Sequence, residues 1–171
     1  YRVLVAALLA RGYETVKFEA VNPAARHLVL RHDVDVSLQS ARTIAEIEAT
    51  IGVHATYFVL MRSEFYNPTA PASVDILKRI AELGHTVGLH FDAALYADDE
   101  FSLETGAKIE CEALEAIIRQ RVNMVSFHRP APGFLGRAGR IGGRNHAYEP
   151  RFFSDIGYCS DSRGDWYHGH P

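Results

Sequence analysis

Short apolar runs alternate with amphipathic stretches along the sequence, and this alternation restricts the folds available to the chain. The runs rich in β-branched and aromatic residues are predicted as buried strands, at 27–31, 53–60, 85–91 and 123–127. The stretches with apolar residues at helical spacing are predicted as helices, at 37–50, 73–83 and 102–121. Strands and helices that alternate over short links predict a parallel sheet covered by helices.

The remaining segments are less regular. A short strand is predicted at 16–18, a long loop rich in glycine, proline and arginine at 129–147, a short helix at 149–155 and a last strand at 157–160. The pattern gives about five or six strands, and no dinucleotide-binding fingerprint accompanies them. We therefore predict an α/β fold with an irregular or incomplete (β/α) barrel, and a doubly wound sheet is the alternative.

The composition indicates one globular domain over residues 1–171, with 47% hydrophobic and 23% charged residues. A net charge of -3 gives no electrostatic reason to expect nucleic acid or an anionic membrane as a partner. No apolar run is long enough to cross a membrane, and residues 1–10 lack the features of a signal peptide, which favours the cytoplasm. Both ends are interpreted as trimmed, because the chain opens without methionine and stops at Pro171 without a closing element. The oligomeric state stays open.

Acidic, imidazole and guanidinium side chains follow four of the predicted strands. Asp33 and Asp35 come after the first confident strand, and alternation turns both in the same direction, about 6.5 Å apart along the strand. The later strand ends carry His90 and Asp92, then His128 and Arg129, then Asp161. Because the carboxyl ends of parallel strands meet at one rim, these groups are predicted to form a site there. The simpler alternative is that the two acids only open a loop and cap the next helix, where Ser37 is also a good N-cap.

Four segments, in this order, resemble the motifs of the polysaccharide deacetylase (NodB-homology) family. They are LRHDVD at 30–35, GHTVGLH at 84–90, SFHRP at 126–130, and Asp161 with Trp166. The sequence is most similar to the divergent branch whose first motif reads HDVD, and the match runs from about residue 28 to 166. The resemblance implies a deformed (β/α) barrel and a divalent metal held by one aspartate and two histidines. It also implies an aspartate base, an arginine that orients the base, and hydrolysis of an N- or O-acyl group on a sugar.

The resemblance assigns roles to particular residues of this chain. Asp33 matches the base, Asp35 takes the role of the metal-binding aspartate, and His90 matches the first histidine of the His-x-x-x-His motif. The second histidine of that motif would fall at position 94, where this chain has Ala94. His128 is the replacement candidate for the third ligand, with Asp92 behind it.

Arg129 matches the arginine that would hold Asp33 ionised and oriented. Asp161 and Trp166 are predicted to contact the sugar, since aromatic rings pack on the C–H faces of sugars. Zinc is the expected metal, because mixed imidazole and carboxylate ligation suits it, although cobalt, nickel and iron also fit. The expected substrate is an acylated carbohydrate, with an N-acetyl group as the first choice.

The family's last motif, an apolar strand ending in the histidine that serves as general acid, is not visible in the sequence. We expect this histidine to lie beyond Pro171 or to be missing, and we therefore expect the chain as it stands to hydrolyse poorly. The histidines of the C-terminal region without a role are His146, His168 and His170, and His168 is the first to test.

Two other functions remain as alternatives. One is a non-catalytic protein of the same fold that binds metal or glycan without turnover, which Ala94 and the missing acid favour. The other is a metal phosphohydrolase of the HD type, to which the adjacent His32 and Asp33 point. Those enzymes carry the pair on a helix, whereas here it closes a strand, so this alternative is the weaker one.

Overall fold

Seven strands and five helices make up the computed structural model, which describes residues 1–97 and 99–160. The strands are β1 (Glu14–Thr15), β2 (His27–Leu28), β3 (Leu30–Val34), β4 (Ala55–Leu60), β5 (Thr86–Phe91), β6 (Met124–Phe127) and β7 (Asn145–His146). The helices are α1 (Arg2–Ala10), α2 (Leu38–Thr50), α3 (Pro71–Glu82), α4 (Glu100–Ile118) and α5 (Pro150–Phe153). Short 3₁₀ turns lie at Phe18–Ala20, Ala93–Leu95 and Pro132–Phe134.

The central sheet is parallel, and its strands follow one another in chain order from β3 to β7. A doubly wound sheet reverses its strand order at a switch point, whereas a barrel adds each strand beside the preceding one. In the described residues the sheet is open, with β3 and β7 at its edges, and β1 and β2 form a separate parallel pair. The α/β prediction with an incomplete barrel is thereby confirmed, and the doubly wound alternative does not fit.

The two faces of the sheet bury different sets of residues. Alternate side chains such as Tyr57, Leu89 and Phe127 belong to the large core that also contains the apolar residues of α2, α3 and α4. The opposite face buries a smaller cluster that includes Phe58 and Met124. Gly88 belongs to that second face, where a Cβ atom would lie 2.7 Å from the Phe58 ring. A larger residue at this position would therefore displace the ring.

A buried carboxylate ties α2 to the helix-covered face of the sheet. Glu48 is fully buried, and its Oε2 accepts a hydrogen bond of 2.5 Å from the Tyr57 hydroxyl. Its Oε1 lies 2.8 Å from His32 Nε2 and also accepts from the hydroxyl of Tyr1. Burial raises the pKa of Glu48, but the bond and charge of His32 and the two tyrosine hydroxyls outweigh it and lower the pKa below its usual range.

Several element predictions need correction. The segment predicted as a strand at 16–18 runs into the 3₁₀ turn Phe18–Ala20, and no strand is present at 157–160 within the described chain. The segment predicted as a loop at 129–147 contains β7. A strand of two residues is too short to show period-two alternation, so its pairing with β6 could not be read locally. The N-cap role of Ser37 is confirmed, because its Oγ accepts from the Ser40 N–H at 3.1 Å.

In the residues that the structure describes, no helix combines the length and the apolar character needed to cross a membrane.

Candidate metal centre

Three side chains from three different strand ends bring ligand atoms together at the carboxyl rim of the sheet. Asp35 follows β3, His90 lies near the end of β5, and His128 directly follows β6. Asp35 Oδ1 lies 3.2 Å from His90 Nε2 and 4.0 Å from His128 Nε2. The three ligand atoms all lie within 4.8 Å of one another.

These separations agree with the requirements of a small divalent cation. Zinc bonds to nitrogen and oxygen of about 2.0–2.1 Å in tetrahedral geometry place the ligand atoms roughly 3.3 Å apart. The Asp35–His90 separation already meets this value, and the Asp35–His128 separation exceeds it by less than about 1 Å. His90 is buried while Asp35 is half exposed, so one side of the cluster faces solvent. Three protein ligands with an open side are the arrangement of a catalytic rather than a structural zinc site.

The outer nitrogen of each histidine is held by a hydrogen-bond acceptor. His128 Nδ1 lies 2.9 Å from Asp92 Oδ2, and His90 Nδ1 lies 3.3 Å from the Ser126 carbonyl oxygen. Both Nδ1 atoms therefore donate, which leaves the Nε2 atom of each ring, on the side of Asp35, as the nitrogen that would bind a cation. This is the tautomer that metal-binding histidines use.

Asp33 lies beside the cluster and pairs with an arginine of its own strand. Asp33 Oδ2 is 4.0 Å from His90 Nε2 and accepts a bond of 2.6 Å from Arg31 Nη2. Burial raises the pKa of the Asp33 carboxyl, but the charge and hydrogen bond of Arg31 outweigh it and lower the pKa below its usual range. Asp33 is therefore an ionised carboxylate at neutral pH.

Arg31 is itself fixed by contacts on the same face of the sheet. Its Nη2 donates to Ser126 Oγ at 2.8 Å and to Tyr148 Oη at 3.0 Å. The guanidinium also lies 5.0 Å from the Tyr148 ring centroid and 5.6 Å from that of Phe58. Because residues two apart on a strand share a face, Arg31, Asp33 and Asp35 all project toward this rim.

The contact expected of Arg129 is made by Arg31. The backbone leaves the strand after Phe127, and Arg129 adopts a left-handed conformation with φ of 48°. Its side chain is exposed, and no ion pair joins it to any residue that the structure describes. The predicted role of Arg129 in orienting Asp33 therefore has no support in the geometry, whereas Arg31 has the required bond.

The other predicted residues are distributed as follows. Ala94 lies in the 3₁₀ turn after β5, whose first residues are capped by Asp92 through the Ala94 N–H at 3.1 Å. His146 is buried, and its pKa falls to about 4 because of burial and the charge of Arg137, so it is neutral. Asp161, Trp166, His168 and His170 lie outside the described residues.

His32 projects away from the candidate metal centre. It contacts Glu48 on the helix-covered face, whereas Asp33 contacts Arg31 on the other face. An HD-type phosphohydrolase needs both residues of the pair at one metal site, and the strand places them on opposite sides.

No protein-family model matches the sequence, and no curated protein matches it significantly. Among solved structures, the deacetylase PplD of Streptococcus pyogenes, determined in complex with acetate, is similar with a TM-score of 0.58 and 16% identity. That similarity covers 93% of this chain and 73% of PplD. IcaB of Ammonifex degensii gives a TM-score of 0.52 at 15% identity, over 75% of this chain and 65% of IcaB.

A third similar structure is BA3943 of Bacillus anthracis, which is a CE4 family pseudoenzyme. Its TM-score is 0.50 at 18% identity, and the similarity covers 62% of this chain but only 36% of BA3943. The described part of this chain thus has the α/β fold, with a parallel sheet, that CE4 deacetylases share.

Proposed function

We propose that the chain is a metal-dependent hydrolase that removes an acyl group, with N-acetyl as the first choice, from a sugar or polysaccharide. The observation that carries this proposal is the convergence of one carboxylate and two imidazole nitrogens beside a separate, ionised carboxylate. One set of groups suits cation binding, and the neighbouring Asp33 is available for proton transfer. The deacetylase PplD, which has a similar fold, supports the choice of acyl transfer to water as the reaction.

In this proposal Asp35, His90 and His128 hold the metal, with Asp92 and the Ser126 carbonyl fixing the two imidazole rings. Zinc is the first choice for a site with this mixture of ligands. A divalent cation held there would supply a water of lowered pKa and would polarise the acyl oxygen.

Asp33 acts as the base that takes the proton of the attacking water. A base must be ionised and must hold its position within hydrogen-bond reach of the proton that it removes. Arg31 meets both needs, because its charge favours the ionised carboxylate and its bond fixes the Oδ2 atom. Ser126 and Tyr148 in turn hold the guanidinium in place. Asp161 and Trp166 remain predicted sugar contacts.

The test is acetate release from N-acetylated chito-oligosaccharides by the zinc-loaded protein, compared with the Asp33→Asn variant. We expect slow release by the wild type, since the acid histidine of the family's last motif is not visible in this sequence, and a further loss of about 10²–10⁴-fold in the variant, as for other general bases. Both proteins should bind the same amount of zinc by elemental analysis. Equal rates in the two proteins would refute the role of Asp33.

A binding protein without turnover is the second candidate function. Position 94, where the motif expects a metal-binding histidine, carries an alanine, and BA3943 shows that this fold also occurs in pseudoenzymes. Enzymatic activity has been restored in a mutant of BA3943. Stoichiometric zinc binding with no acetate released from N- or O-acetylated sugars would favour this candidate for the present chain.

A further inference from the structure

We propose that the loop after β4 forms a carbohydrate subsite, in which Phe65 supplies a stacking face for a sugar ring of the substrate chain. This inference rests on the proposed function, since it extends the substrate beyond the ring that carries the acyl group. Residues of the loop line a hollow of about 400 Å³ that is open to solvent. Its lining residues are Met61, Ser63, Glu64, Phe65, Tyr66, Asn67 and Pro68.

The loop begins next to the candidate metal centre. Leu60, the last residue of β4, is in register with His90 of β5, so the chain enters the loop beside a predicted ligand. Ser63 Oγ donates to the carbonyl oxygen of Asp35 at 3.3 Å. The hollow is therefore tied directly to the backbone of a second predicted ligand.

The loop is held in one conformation by hydrogen bonds at two points. Tyr66 Oη donates to the Val34 carbonyl oxygen at 2.6 Å and accepts from the Leu60 N–H at 3.0 Å. Phe65 N–H donates at 3.1 Å to the same Ser63 hydroxyl that contacts Asp35. A surface fixed in this way loses little conformational entropy when it binds a ligand.

Phe65 is exposed although its backbone is fixed. Its exposed fraction is 67%, so the face of the ring is available to a ligand. A flat apolar ring next to polar groups suits a pyranose, whose C–H face is apolar and whose rim carries hydroxyls. Glu64 lines the same hollow and can accept from hydroxyls.

Asn67 adds a hydrogen-bond donor to the hollow. Its Oδ1 accepts from the N–H and the hydroxyl of Thr69 at 2.9 Å and 2.7 Å, which fixes the amide. The amide nitrogen is then the part of Asn67 that can donate to a ligand. The hollow thus combines one apolar face with a donor and an acceptor, the pattern of a small-molecule site.

The experiment measures binding of chitotetraose to the zinc-loaded Asp33→Asn protein by calorimetry, with and without a further change at position 65. Phe65→Ala should raise Kd about 3- to 10-fold, the range expected for one aromatic contact, and Phe65→Tyr should restore it because the ring is kept. Tyr13→Ala is the matched control, since it removes another exposed aromatic ring that precedes β1. Equal Kd values for Phe65→Ala and Tyr13→Ala would overturn the subsite, as would a failure of the Asp33→Asn protein to bind the tetrasaccharide.

Acetate release by the protein with Asp33 intact separates this inference from the proposed function. Binding that depends on Phe65 without any acetate release would support the subsite and refute hydrolysis. Acetate release with the same KM for wild type and Phe65→Ala would overturn the subsite and leave hydrolysis standing. A raised KM with unchanged kcat on the tetrasaccharide, and unchanged rates on 4-nitrophenyl acetate, would support both.

Discussion

Removing the Glu48 carboxylate should destabilise the fold strongly, and the contacts around it allow the size of the effect to be worked out. The carboxylate is fully buried and accepts from Tyr57, from Tyr1 and from His32. In Glu48→Ala these three donors lose their acceptor inside the protein, and breaking a buried polar network of this kind costs about 3–5 kcal/mol. For a domain of this size that corresponds to a fall in Tm of roughly 6–20 °C.

The effect should depend on pH in a defined direction. The pKa of Glu48 is lower in the folded protein than its usual value, so the carboxylate stabilises the fold at pH values above the usual pKa of about 4.3. This contribution is lost as the pH falls through the lowered pKa of the folded state. The difference in stability between wild type and Glu48→Gln should therefore be largest near neutral pH and should shrink in acid.

Urea denaturation followed by circular dichroism provides the measurement, with Glu46→Ala as the matched control on the same helix. Glu46 forms an exposed i,i+4 pair with Arg42 at 2.8 Å, a kind of pair that contributes about 0.3–0.5 kcal/mol. Glu48→Ala should thus lower the free energy of unfolding several times more than Glu46→Ala. Equal losses in the two variants would refute the inference that Glu48 anchors α2 to the sheet.

Three further predictions concern the candidate metal centre and can be tested by calorimetric titration with zinc. His90→Ala should lose measurable zinc binding, because a buried ligand disappears, and full retention would remove His90 from the site. Asp35→Asn should weaken zinc binding, whereas Asp33→Asn should retain zinc binding and abolish hydrolysis. Equal loss of zinc binding in both variants would mean that both carboxylates are ligands. Asp92→Asn should lower zinc affinity about 10- to 100-fold, because the imidazole of His128 loses the carboxylate that orients it. An unchanged affinity in that variant would show that Asp92 only caps its turn.

Much of the sheet could be predicted from local pattern, because β4 and β5 are long enough for their β-branched and aromatic residues to identify them as strands. The two-residue strand β7 could not, since its identity depends only on pairing with β6. The sequence also predicted that Asp35, His90 and His128 lie at one site, and the structure brings their ligand atoms together. That grouping was possible because parallel strands end on a common rim, and whether the cluster binds metal remains a prediction.

Arg31 is the residue that the sequence reasoning missed. Period-two alternation alone places Arg31 on the same face as Asp33, so the signal was present in the strand. The family resemblance assigned the orienting role to Arg129 instead. The contacts of Arg31 with Ser126 and Tyr148 had no local signal, because they join positions 95 and 117 residues away in sequence.

Consecutive residues of strand β3 serve two different purposes, the candidate metal centre and the packing of the helix-covered face. Arg31 and Asp33 of this strand face the candidate metal centre, and His32 between them contacts Glu48 on the helix-covered face. Under the proposed function, a saturation-mutagenesis screen scored only for acetate release would find this whole stretch intolerant and could not separate the two causes. Scored in parallel for the amount of folded protein, the same library should separate Asp33→Asn, which keeps an acceptor for Arg31 and leaves soluble yield intact, from changes at His32, which reduce it. One strand would then show separate effects on activity and on folding at neighbouring positions.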